Sequence, residues 1–245
     1  MRKAWVLTGD GINCEIETAE ACRHAGFATE TIHLSELVAR PRSLDECSLL
    51  VLPGGFSFGD ELGSGRVLAM KVRYQLRWDL QEFARMGGLV LGICNGFQAL
   101  VALGIFGERV ALAPNKDGRF RNEWTRLRFD TLATEKSPFL SELSEIELPI
   151  RHGEGRLLWE NEIHPALRYL SDPNGSTDRV AGLLDSTGRI LGLMPHPEGY
   201  LRTSQHPEFF RRGGDPLADG DGLAIFRNAF LSARLLKKHP QEAAL

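Results

Sequence analysis

A cysteine framed by glycines is the residue in this chain whose setting best suits chemistry. Residues 87–98 read Gly-Gly-Leu-Val-Leu-Gly-Ile-Cys-Asn-Gly-Phe-Gln. The apolar run Leu89–Ile93 leads into Cys94, Gly92 and Gly96 stand two residues to either side, and a helical pattern begins at Asn95. This is the pattern of a nucleophile elbow, a sharp strand-to-helix turn that presents one side chain at the top of a sheet. The glycines leave room for tight backbone, and the free N–H groups at the start of a helix favour a thiolate. Cys94 is therefore predicted to be a catalytic nucleophile. Cys14, Cys22 and Cys47 form no CxxC pair and no zinc spacing, and are expected to be reduced, inert thiols.

A thiolate needs a partner that moves protons near neutral pH, and histidine does this. Two of the seven histidines sit in identical tripeptides, His196-Pro197-Glu198 and His206-Pro207-Glu208. His196 follows the apolar run Ile190–Met194 and so emerges at a strand end, where α/β proteins place their sites. His206 lies in the polar stretch Arg202–Arg212 and is expected at the surface. Pro197 biases His196 toward extended backbone, which would put Glu198 on the same side as the imidazole, ready to orient it. The predicted triad is Cys94, His196 and Glu198. An oxyanion needs fixed N–H donors. The elbow offers the backbone of Asn95, and the glycine pair after the run Leu49–Pro53 offers a second, for which Gly55 is preferred over Gly54.

The elements that must hold these residues alternate short apolar runs with helical stretches, which predicts a largely parallel sheet covered by helices. Ala4–Thr8, Leu49–Pro53 and Leu89–Ile93 read as strands, with Arg126–Asp130 and Ile146–Ile150 later. Arg179–Leu184 and Arg189–Met194 read as a hairpin closed by Asp185-Ser186-Thr187-Gly188. Helices are expected over Glu15–Ala25, Val67–Met86, Asn95–Leu103 and Leu223–Lys238, and a long loop over 203–221. The fold class is α/β: a single three-layer domain over 1–245 (core about 3–238), a mostly parallel sheet with helices on both faces, flavodoxin-like. The net charge of −3 gives no case for nucleic-acid binding, and no apolar run is long enough to span a membrane. The default compartment is the cytoplasm.

Gly-Ile-Cys-Asn-Gly-Phe-Gln, Pro-Gly-Gly-Phe-Ser-Phe-Gly-Asp and Met-Pro-His-Pro-Glu together resemble the triad-type (class I) glutamine amidotransferases. Four further segments are similar, within that group, to the glutaminase subunits of phosphoribosylformylglycinamidine synthases: Gly11–Glu15, Asn115–Trp124, His152–Arg156 and Asp172–Ser176. The likeness runs from about residue 3 to residue 230. It departs from the usual pattern at Phe58, Asp117 and Gly199, where that group favours Tyr, Ser and Arg.

The resemblance implies that Cys94 forms a γ-glutamyl thioester with glutamine and releases ammonia and glutamate. It implies that Gln98 helps hold the substrate and that His152, Gly153 and Gly155 line its pocket. It implies no cofactor in this chain. ATP and Mg would be used by a separate ATP-dependent synthetase subunit that makes the amidine of purine synthesis, with a small bridging third subunit as a further partner. No phosphate loop ending in Gly-Lys-Ser or Gly-Lys-Thr occurs here, so that half-reaction needs a partner. Two other readings stay open on the residues alone. One is another class I amidotransferase or a thiol hydrolase; the other is a non-catalytic regulatory partner with the same fold.

Overall fold

The computed structural model describes residues 1–60, 62–160 and 162–233. The strands are β1 Lys3–Thr8, β2 Ala28–His33, β3 Leu49–Leu52, β4 Leu89–Ile93, β5 Val110–Ala113, β6 Arg121–Phe129, β7 Glu145–His152, β8 Arg156–Trp159, β9 His164–Tyr169, β10 Val180–Leu184 and β11 Ile190–Leu193. The helices are α1 Glu15–Ala25, α2 Leu34–Ala39, α3 Arg66–Met70, α4 Leu80–Arg85, α5 Asn95–Ala102, α6 Thr131–Lys136, α7 Phe209–Arg212 and α8 Leu223–Ser232.

Nine strands form one sheet in the order β2-β1-β3-β4-β11-β10-β9-β6-β7, and β5 and β8 form a separate antiparallel pair. The five strands from β2 to β11 are mutually parallel. Within them β3, β4 and β11 are buried along their whole length, as unbroken apolar runs require when both sheet faces are covered. From β10 onward the sheet is antiparallel. β6 shows why: Thr125, Leu127 and Phe129 are buried while Arg126 and Arg128 are exposed, the alternation of a strand with one wet face. α1 packs against α8, and α5 packs against α3 and the neighbouring strands. The Phe27 and Phe230 rings meet edge-to-face, 5.2 Å apart, where α8 closes over the sheet.

The parallel core, the elbow and the β10–β11 hairpin follow the sequence pattern. The stretch Val67–Met86 does not stay one helix. α3 widens into a π-helical turn over Lys71–Leu76, Arg77 adopts φ 53°, and Asp79 caps α4 by accepting from the Glu82 N–H at 2.8 Å. The break lets Trp78 tuck in, 6.2 Å from the Trp5 ring, with its indole N–H on the Arg42 carbonyl. β2 and β9, rich in polar residues, escape a reading based on apolar runs. The stretch 203–221 carries a 3₁₀ turn at Thr203–Gln205 and α7. The last helix is described to Ser232; the rest of its expected span, up to Lys238, lies outside the described residues. Among the described residues no helix is long and apolar enough to cross a membrane.

Candidate active site

Cys94 occupies the turn between β4 and α5 with φ 49° and ψ −102°. Positive φ in a residue with a side chain is strained and persists only when surrounding structure enforces it. Here the enforcement is close packing. A Cβ on Gly96 would stand 1.9 Å from the Leu52 carbonyl oxygen, and one on Gly92 would stand 2.5 Å from Leu100 Cδ1. Only glycine at both positions lets the start of α5 lie on β3 and β4. The Cys94 N–H donates to the Leu193 carbonyl and the Gly96 N–H to the Pro53 carbonyl.

His196 stands just beyond β11, its N–H donating to the Pro149 carbonyl of β7 at 2.9 Å. Its Nδ1 lies 2.6 Å from Glu198 Oε1, and both side chains are almost fully buried. The contact arises by a turn rather than by extended backbone. Pro197–Gly199 is one 3₁₀ turn, with Gly199 N–H on the His196 carbonyl. The proline still keeps His196 non-helical (φ −106°, ψ 88°), and its fixed φ starts the turn that swings Glu198 back. The N-terminus of α8 packs on this turn: a Cβ on Gly222 would lie 1.9 Å from the Pro197 carbonyl oxygen.

Burial by itself disfavours a charged imidazole, but the Glu198 carboxylate, followed by Cys94, outweighs it and holds His196 well above the usual histidine range. With Nδ1 committed to Glu198, Nε2 is the nitrogen left for proton transfer, and among the described residues it is buried without a hydrogen-bond acceptor or donor in standard geometry. Cys94 Sγ makes a weak contact with the Arg151 carbonyl at 3.6 Å.

Cys94 and His196 line an open cleft of about 450 Å³ together with Gly55, Asn13, Cys14 and Arg151. The partly exposed rings of Phe56 and Phe120 stand at its rim. Gly55 has φ 146°, a conformation reserved for glycine. Among the described residues neither the Gly55 nor the Asn95 N–H has a hydrogen-bond partner in the chain. The Asn95 side chain joins the two loops: Oδ1 accepts from the Ser57 N–H, and Nδ2 donates to Asp60 and Gln98.

Gln98, His152, Gly153 and Gly155, expected to hold the substrate and line its pocket, are not among the residues that line this cleft; they are stitched to its neighbouring segments. The Gln98 amide donates to the Glu154 carbonyl at 2.6 Å and accepts from Asn95. Asn115 Oδ1 accepts from His152 Nδ1 and from the Gly155 N–H, and the Gly153 carbonyl accepts from the Asn115 N–H. Asn174 in turn holds the Gly155 carbonyl. The segments around Asn115, His152 and Asn174 thus form one buttress, which no local pattern in any of them announces.

Two further expectations change. Cys14 is not an inert core thiol: it is half-buried, in the cleft, beside His196. Its place next to Asn13 in the Gly11–Glu15 segment was the available signal. His206 is not at the surface. It is buried, 4.4 Å from the Trp124 ring centroid and beside Tyr200, with Nε2 3.4 Å from Glu147. The polar residues around it hide a fold-back of the chain onto β6 and β7.

This elbow, a buried His–Glu pair beyond the neighbouring parallel strand and a glycine turn opposite have the arrangement that a thiol–imidazole–carboxylate triad requires. The CobB/CobQ-like glutamine amidotransferase domain model matches residues 1–167 and 159–231. Phosphoribosylformylglycinamidine synthase subunit PurQ of Dehalococcoides mccartyi is 41% identical over 253 residues, covering 95% of this chain and 98% of that protein. The subunit of that name from Methanococcus maripaludis is 36% identical over 213 residues, covering 76% of this chain and 77% of its own. A solved structure of PurLQS from Thermotoga maritima superposes with a TM-score of 0.77 at 32% identity, covering 94% of this chain and 98% of that one. The chain belongs to the CobB/CobQ-like glutamine amidotransferase family, among its PurQ-type members.

Proposed function

We propose that the chain is the glutaminase subunit of a phosphoribosylformylglycinamidine synthase, working as a single catalytic domain. The observation that carries the chemistry is Cys94 in the strained elbow, sharing its cleft with a His196 whose Nδ1 is locked to Glu198. Relatives named as PurQ subunits, and a solved structure named PurLQS, support the assembly.

In this reading each group has one task. Cys94 Sγ attacks the side-chain carboxamide carbon of glutamine, and the developing oxyanion takes the unpartnered N–H groups of Gly55 and Asn95. His196, through Nε2, gives its proton to the amide nitrogen, so that ammonia leaves and a γ-glutamyl thioester remains. The same nitrogen then takes a proton from water, whose oxygen attacks the thioester and frees glutamate. Glu198 keeps the imidazole in the required tautomer and offsets its charge. Gln98, His152, Gly153 and Gly155 serve the substrate by holding the wall behind the cleft. Ammonia passes to an ATP-dependent synthetase subunit, which binds ATP and Mg²⁺ and converts formylglycinamide ribonucleotide to the amidine in the cytoplasm; a small third subunit completes the assembly. Direct hand-over suits the chemistry, since ammonia released into neutral water is mostly protonated and loses its nucleophilic lone pair.

Glutamate release from glutamine, measured with and without the synthetase subunit, its substrate and ATP, tests the reading. Release that rises strongly with the complete mixture is expected. Cys94→Ala should lower kcat by about 10³-fold or more while glutamine still binds. Turnover that survives this substitution would overturn the assignment.

A further inference from the structure

The glutaminase chemistry leaves two carboxyl groups near the elbow without a task, Asp60 and Glu154, and both meet the same hydroxyl. Ser64 Oγ lies 3.2 Å from Asp60 Oδ2 and 3.3 Å from Glu154 Oε2. Asp60 Oδ1 accepts from Asn95 Nδ2 at 3.2 Å and from the Gly65 N–H at 3.4 Å. Asn95 Nδ2 also donates to Gln98 Oε1, and Gln98 Nε2 donates to the Glu154 carbonyl. These contacts close a ring that runs from Asn95 through Gln98, Glu154, Ser64 and Asp60 back to Asn95. It ties the elbow helix to the glycine turn, to the start of α3 and to the segment after β7. Backbone strain sits at the same place: Phe58 and Asp60 have φ of 57° and 55° without being glycine, a conformation that persists only where neighbours enforce it.

The ring has a proton count. A hydroxyl supplies one proton, and an ionised carboxylate only accepts. Both Ser64 contacts are hydrogen bonds at once only when one of the two carboxyl groups is protonated. Glu154 is the better candidate. It is half-buried, burial pushes its carboxyl up, and the Asp60 charge adds to this against the Ser64 hydroxyl and Arg66. Asp60, with three donors around it, is the acceptor. The protonated Glu154 then donates to Ser64, and Ser64 donates to Asp60.

We propose that Asp60 and Glu154 are positioning residues for glutamine hydrolysis: joined through Ser64 in one donor chain, they aim the Asn95 amide and so set the two oxyanion donors, on Asn95 and on Gly55. Neither carboxyl lines the cleft, so both act through Asn95 and Gln98. Asn95 passes the constraint on, because its Oδ1 accepts from the buried Ser57 N–H two residues after Gly55. The role rests on the glutaminase reading, and one of its two readouts needs no glutamine.

Glutamate release is measured with the synthetase subunit, its substrate and ATP present. In Ser64→Ala and Glu154→Ala kcat should fall about 10-fold or more with KM within about threefold of wild type, because a misplaced oxyanion donor harms the transition state. Glu154→Gln should restore kcat to within about threefold of wild type, since its amide donates to Ser64 as the protonated acid does. Hydrogen exchange at the Ser57 N–H, followed by NMR in the free full chain, is the second readout. That N–H donates to Asn95 and not to Ser64 or Glu154, yet its exchange should quicken about 10-fold or more in both alanine variants and return toward wild type in Glu154→Gln. Should an alanine variant fail to fold, Glu154→Asp, which draws the acid away from Ser64, should show the same losses. Ser57 exchange or kcat indifferent to Glu154→Ala, or a Glu154→Gln no better than Glu154→Ala, would overturn the proposal. A wild type that released no glutamate would strike the glutaminase reading, and the exchange data tell that failure apart from failure of the ring.

Discussion

Asn95 Oδ1 accepts a hydrogen bond from the Ser57 N–H at 3.2 Å, so the first residue of the elbow helix clamps the glycine turn opposite it. The same side chain donates to Asp60 and Gln98. One amide thus fixes the distance between the two N–H groups assigned to the oxyanion, one on Asn95 itself and one on Gly55.

Asn95→Ala keeps the first N–H but frees the turn that carries the second. The Ser57 N–H is left buried and unpaired, which costs about 1–3 kcal/mol of stability. The loss in kcat should be about 10²-fold with KM little altered, because misplacing a donor harms the transition state more than the ground state. Denaturant melts and steady-state kinetics on the same preparation check both. An unchanged kcat would detach the clamp from catalysis.

Glu198→Gln keeps the shape of the His196 contact but removes its charge. Burial, the largest influence on the ring, already disfavours the imidazolium, and the carboxylate is what overcomes it. Without that charge the histidine pKa falls, so the acid limb of the pH–rate profile should move to lower pH. The accompanying loss in kcat should be about 10²- to 10⁴-fold, since a carboxamide can donate to Nδ1 and hold the ring in the wrong tautomer. A profile with an unmoved acid limb would show that Glu198 does not set the protonation of His196.

His152 gives a pH signature of stability rather than of activity. Burial first, and the neighbouring His196 second, push its pKa down to about 4. The unfolded chain binds this proton near pH 6.5, whereas the folded chain resists it until about pH 4. Its contribution to stability is therefore complete above pH 6.5 and is lost as pH falls toward 4, by up to about 3 kcal/mol. His152→Gln should flatten the melting curve over that window relative to the wild type. Parallel curves would place the acid sensitivity elsewhere.

Gly96→Ala places a methyl group 1.9 Å from the Leu52 carbonyl oxygen, on rigid backbone. Nothing there is a flexible side-chain end, so α5 has to lift from β3. A loss of at least about 1–3 kcal/mol is expected, together with loss of thioester formation. Thermal melts and trapping of the acyl-enzyme give the two readouts. By contrast Gly118→Ala, in open space, should leave the elbow intact and cost only the strain of its positive φ.

The parallel core was legible because burial on both faces demands unbroken apolar runs, and Leu49–Leu52, Leu89–Ile93 and Ile190–Leu193 have them. The elbow was legible because few backbones need glycine two residues on either side of a cysteine. β2 and β9 were not, because a half-wet strand with scattered polar residues has no distinctive period. The break after Leu76 depends on where Trp78 finds its pocket, a contact with Trp5 and Arg42 far away in the chain.

The sequence by itself determined the strand-to-helix turn at Cys94, the histidine beyond a strand end and the carboxylate two residues later, since each is bound to a local pattern of backbone. Tertiary structure decided the rest. It brought Cys14 to His196, stitched Asn115 and Asn174 to the His152 segment, and folded His206 onto Trp124. The physical reason is the reach of the interactions. Turn geometry acts over two or three residues and leaves a mark on them, whereas packing joins positions that the chain separates by tens of residues.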